Sequence, residues 1–114
     1  MTKSIYIYLL IGFFYASDFI PHNNSTLNYT QVFLKWPQIE NVEYYLVSIQ
    51  SNVDENIEFD SPYNSILIED FIDWGNDYSW VVCGIDDYDN ISFCHEPKLF
   101  SINSLPVLTS SAYN

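Results

Sequence analysis

From residue 31 onward the chain alternates between apolar and polar positions. Val32, Leu34 and Trp36 fall on one side of an extended segment, with Gln31, Phe33 and Lys35 on the other, so Gln31 to Trp36 predicts a strand. Pro37 ends it, because proline cannot donate to a ladder. Tyr44 to Ser51 is a second alternating run, with Tyr45, Val47 and Ile49 sharing a face. A turn at Asn52 to Asn56, a short strand at Ile57 to Phe59 and a turn at Ser61-Pro62-Tyr63-Asn64 follow. Ser65 to Glu69 predicts a further strand, with Ile66 and Ile68 on one side and Leu67 on the other. Asp70 to Asp77 reads as a bridging loop whose Phe71, Ile72 and Trp74 can cover an end of the core. In Tyr78 to Ile85, Tyr78, Trp80, Val82 and Gly84 alternate, so one strand sends a tyrosine and a tryptophan into the interior. A return strand through Cys94 and a last one at Leu99 to Ile102 complete the set, while Phe19 to Thr30 is a polar, Asn-rich lead-in with one short edge strand.

Turn signals at about 8–12-residue spacing favour an all-β sandwich over alternating βα units. The expected fold is therefore all-β, a sandwich of about seven antiparallel strands. The chain has 114 residues, enough for one domain and too few for two comfortable cores. Its 48% hydrophobic content argues against disorder, and its three glycines leave no glycine-rich phosphate loop. Fifteen acids face three lysines and no arginine, a net charge of −12. Nucleic acid is excluded as a partner, since no basic stripe exists to displace counterions from phosphates.

The first residues read as a targeting segment. Lys3 precedes an apolar run from Ile5 to Tyr15, too short for the about 20 residues that span a bilayer but fitting a signal-peptide core. Residues 1–17 are thus expected to be a secretory signal cleaved after Ala16 or Ser17, with Phe14 or Tyr15 in place of the usual small residue three before the cut. The alternative is a buried first strand. No second apolar run suggests a membrane anchor, so the expected location is secreted, periplasmic or cell envelope. Residues 18–103 would then form the sandwich, and 104–114 a linker or the start of a downstream domain.

Chemistry enters through the hairpin after Trp74. Pairing Cys83 with Cys94 also pairs Gly84 with Phe93 and Ile85 with Ser92, leaving Asp87 to Asn90 as a four-residue loop. Two cysteines opposite each other on antiparallel strands can form a cystine, and an oxidising compartment would keep it. A nucleophilic thiol would instead need a basic neighbour, and His95 would face the other way on a strand. The acidic turn Asp86, Asp87, Asp89 and Asn90 offers oxygen ligands for Ca²⁺ without the glycine-containing spacing of a dedicated loop, and Glu69, Asp70, Asp73 and Asp77 could approach from elsewhere. Solvated turn residues are the simpler reading. Trp74 and Tyr88, with Tyr44 and Tyr63, are aromatics that could stack on sugars or merely cover core and sheet edges. His22 and His95 lack the spaced partners zinc requires, and no Gly-x-Ser-x-Gly elbow occurs. No cofactor or catalytic residue is expected. Asn24, Asn28 and Asn90 begin glycosylation acceptor patterns.

Trp36 closing one strand, Tyr45 in the next, and the Gly-x-x-Tyr-x-Trp-x-Val run from Gly75 to Val82 resemble a fibronectin type III domain of exported bacterial proteins. The resemblance covers roughly residues 24 to 103 and implies an immunoglobulin-like sandwich; the paired cysteines depart from the usual pattern. The cysteine pair, Phe-Ser-Ile-Asn-x-Leu-Pro at Phe100 to Pro106, and the signal-like start are similar to a lead-in domain. That domain precedes an arylsulfotransferase-type propeller in secreted bacterial proteins. This narrower resemblance implies a catalytic part beyond Asn114, so none of its catalytic residues carries over. The expected function is an exported, non-catalytic spacer or docking module whose partner is a downstream domain or another exported protein. The alternative is a free-standing binder of carbohydrate or Ca²⁺ using the loops of Trp74, Tyr88, Asp86, Asp87 and Asp89.

Overall fold

The computed structural model describes residues 18–105, and within them every regular element is a strand. The segment expected to be an export signal and most of the expected linker lie outside the described residues. The strands are β1 (Ser25–Leu27), β2 (Val32–Lys35), β3 (Tyr44–Ser51), β4 (Asn56–Ser61), β5 (Ser65–Ile68), β6 (Asp77–Ile85), β7 (Ile91–Cys94) and β8 (Lys98–Ile102). They form a larger sheet in the order β1-β8-β6-β3-β4, with β7 also on β6, and a two-stranded sheet of β2 and β5. The fold is an all-β sandwich.

Alternation builds its core. Val32, Leu34 and Trp36 from one layer meet Val47, Ile49, Tyr78, Trp80, Val82 and Phe100 from the other, each at most 2% exposed. Fully burying side chains of this size contributes roughly 1.5–3 kcal/mol each. Among the largest, Trp36 meets Tyr45 and Trp80 edge to face at 5.3 and 6.3 Å between ring centroids, and Tyr78 stacks on Phe100 at 5.3 Å. These are the offset geometries aromatic quadrupoles prefer. Tyr78 and Trp80 enter the core from one strand, as their spacing predicts.

Three features differ from the sequence expectation. Among the described residues there are eight strands rather than about seven, with His95-Glu96-Pro97 separating the return strand β7 from the last strand β8. Proline has no N–H to offer the ladder. Thus β7 pairs with Cys83–Ile85 and β8 with Asp77–Trp80 along the same edge of β6. The short edge strand β1 runs parallel to β8, so the sandwich is not wholly antiparallel. Finally, Cys83 faces Cys94 and Gly84 faces Phe93 as expected, but Ile85 pairs with Ile91 rather than Ser92, through a bulge.

That bulge follows from the turn. The Asp86 carboxylate accepts hydrogen bonds from the Tyr88 and Asn90 amides, at 2.9 and 3.0 Å, and Asp89 adopts a left-handed φ of 62°. Aspartate tolerates that conformation and closes such turns with its own side chain. The loop therefore spans Asp86 to Asn90. Elsewhere β4 extends beyond the predicted Ile57 to Phe59, since β3 offers partners from Tyr45 to Gln50.

Candidate functional site

The two cysteines are joined. Cys83 and Cys94 sit directly opposite each other on β6 and β7 with Cα atoms 4.0 Å apart and a sulfur–sulfur bond of 2.03 Å. Both thiols are consumed in structure, so neither is available as a nucleophile. His95, next in the chain, packs its ring 5.1 Å from Phe19 and 5.4 Å from Phe93, with Nε2 3.0 Å from the Pro37 carbonyl. His22 is exposed and serves the fold through its carbonyl, which accepts from the Ser25 amide and hydroxyl.

The remaining candidates separate into two groups at opposite ends of β6. At its C-terminal end, Asp86, Asp87 and Tyr88 line a shallow cleft of about 430 Å³ together with Asn41, Val42 and Ser92. Tyr88 is 83% exposed there. Asp89 accepts a long hydrogen bond of 3.5 Å from the Tyr44 hydroxyl. Partial desolvation, then the negative charges of Asp89 and Asp60, hold the Tyr44 phenol above its ordinary value of 10.0. One oxygen of Asp86 is already committed to the turn amides, which leaves it a poorer ligand.

At the other end lies Trp74, half-buried against the core. Gly75 beside it has φ +77° and donates to the Ile102 and Asn103 carbonyls, a conformation an L side chain resists. The Tyr78 hydroxyl accepts from the Asp73 amide at 2.7 Å, tying this loop to the start of β6. Nine residues of extended chain between the two loops correspond to roughly 30 Å. Trp74 and Tyr88 are therefore not brought together, and neither are the acidic groups Asp86–Asp89 and Glu69–Asp77. Among the described residues no three His, Cys, Asp or Glu side chains are grouped to hold a metal ion.

Two other concavities were not foreseen from the sequence. A depression of about 520 Å³ lies on the outer face of the larger sheet, where Gln50 and Ser79 face across the ladder and Asn52, Asp77 and Ser101 border them. Asn52 there is spent on the fold, its side-chain oxygen accepting from the Asp77 amide at 3.1 Å. A groove of about 410 Å³ runs between β4 and β5, lined by Ile57, Phe59, Leu67, Ile68 and Phe71 with Glu69 and Asp70 at its end. The signal for it was present in the alternation Ile57, Glu58, Phe59, Asp60, but which sheet edges remain open depends on topology. The chain matches no family model and no curated protein.

Proposed function

We propose that this chain is an exported, non-catalytic module, similar to a fibronectin type III domain, that spaces or docks other protein units. The Cys83–Cys94 cystine carries this reading, because cytosolic reductants keep paired thiols open whereas secreted and envelope proteins retain such bonds. The apolar run from Ile5 to Tyr15 behind Lys3 supports export to the periplasm, cell envelope or medium. The tie from Asp73 to the Tyr78 hydroxyl supports the immunoglobulin-like reading, since such sandwiches anchor the corner before this strand with a tyrosine bonded to upstream backbone. Chemically, the chain's most reactive side chains are used to hold the fold. The Phe-Ser-Ile-Asn-x-Leu-Pro run supports the narrower proposal that the module leads into an arylsulfotransferase-type propeller of a secreted bacterial protein, through a linker at Ser104 to Asn114.

Reading the coding frame past Asn114 tests the spacer role. The expected result is continuation into a second folded unit. A stop codon directly after Asn114 would remove that role and leave only docking between separate chains.

A further inference from the structure

A sandwich has two open sides where the layers diverge, and here they are treated differently. On the β2 side, Ile20 exchanges both backbone hydrogen bonds with Lys35, at 2.9 and 2.8 Å. Phe19 follows it into the gap, 6.0 Å from Trp80 and 5.1 Å from His95, with the Lys98 ammonium 4.5 Å above its ring. That side is sealed by side chains from three segments.

The β5 side has no such seal among the described residues. Among the described residues β5 pairs only with β2, and β4 only with β3. Ile57 and Phe59 point inward from β4 yet stay half-exposed, whereas the inward Val47 and Ile49 of neighbouring β3 are fully buried. Leu67 on β5 is 48% exposed and Phe33, its partner across the ladder, 46%. The edge sequence Ser65-Ile66-Leu67-Ile68 contains neither lysine nor proline, the residues that commonly blunt free edges. A strand placed about 4.8 Å beyond β5 would convert the two-stranded sheet to three and lie over Ile57, Phe59 and Phe71 across the layer gap.

Charge selects the occupant. Glu58 and Asp60 alternate with the inward Ile57 and Phe59 and so face away from the groove, Glu58 accepting from the Ser48 hydroxyl. The charges at the groove's end are Glu69 and Asp70, in a chain of net charge −12. A second copy would bring these carboxylates against their own kind. A partner carrying lysines or arginines between its apolar residues would meet them with opposite sign.

We propose that the β5 edge and the Ile57–Phe59–Phe71 groove accept an extended, basic segment of another polypeptide as an added strand. Backbone ladder bonds to β5 supply affinity, alternate apolar side chains fill the groove, and the basic side chains face Glu69 and Asp70. The proposal names the partner chemistry of the docking role and rests on that role; the binding experiment reads out separately from export and from the downstream frame.

The probe is a blocked peptide of alternating lysine and valine, titrated into the isotopically labelled chain with its cystine formed and followed by amide NMR shifts and hydrogen exchange. Shifts confined to β4, β5 and Phe71, with slowed exchange of β5 amides, are expected. Leu67→Lys, at a solvent-facing position that leaves the core intact, should weaken binding about tenfold, and Glu69→Lys should do the same while flattening the salt dependence. A glutamate–valine peptide, and a lysine–valine peptide with proline at its centre, should not bind. Absence of shifts at millimolar peptide, equal binding of the proline peptide, or shifts elsewhere would overturn the proposal. So would reversible dimerisation through β5 without peptide, which would make a second copy the occupant.

Discussion

Trp80 concentrates the energetics of this fold in one residue. It is 1% exposed, touches Trp36 and Phe19 edge to face, and sits on the central strand of the larger sheet. Its indole N–H and that of Trp36 are buried without a partner among the described residues, which offsets part of the gain from burial. Trp80→Ala should still destabilise by about 3–5 kcal/mol in urea denaturation, since a cavity that large cannot close between two sheets. Tyr44 offers a pH test. Its phenol is held above 10.0, so the folded chain retains that proton where the unfolded chain loses it. The small stability this confers is present below the unfolded value and disappears as pH rises through the folded one. Asp89→Asn should lower the Tyr44 value in a ring-carbon NMR titration, because the neighbouring negative charge is removed while the amide oxygen is only a neutral acceptor for the phenol. Period two made Tyr78 and Trp80 legible as core residues. Phe19 was not legible, because an isolated aromatic in a polar lead-in carries no period and owes its burial to contacts with distant Trp80 and His95.

The β6–β7 hairpin shows what local sequence can and cannot specify. Opposed cysteines set the pairing of Cys83 with Cys94 and Gly84 with Phe93. The slip at Ile85 depended on the Asp86 carboxylate capturing two amides, a side-chain choice that counting residues does not reveal. Cystines separated by 11 positions stabilise by about 3 kcal/mol on the chain-entropy account, so Cys83→Ser with Cys94→Ser should lower the melting temperature by several degrees or more. The cysteine-free chain should keep the β3–β6 ladder in NMR spectra, because that pairing is independent of the cystine. Gly84 is constrained by space. A Cβ there would lie 2.5 Å from Val42 Cγ1 and 3.2 Å from Ile39 Cγ2, and a β-branched valine has little freedom to retreat. Gly84→Ala should cost about 1–3 kcal/mol, and Val42→Ala in the same chain should recover part of it in a double-mutant cycle.

At the scale of the molecule, layer architecture followed from turn spacing and alternation, whereas sheet order did not. Alternation says which side chains point inward, but not which edges remain unpaired, so the β4–β5 groove was invisible until β4 and β5 were placed in different sheets. The expected binding loops fared differently for the same reason. Trp74 and Tyr88 flank one strand in sequence and so lie at its opposite ends, while Ile57 and Phe71 are joined only by the packing of two layers. The acidic surface, the cystine and the open edge are the features on which the proposed exported docking role rests. The most direct measurement of that account is to separate producing cells into cytoplasm, envelope and medium, trap free thiols at once, and determine the chain's amino terminus and cysteine state by mass spectrometry. The account predicts a chain outside the cytoplasm, beginning at Ser17 or Asp18, with Cys83 and Cys94 resistant to alkylation until reduced. A chain held in the cytoplasm with residues 1–17 attached and both thiols alkylated would contradict it.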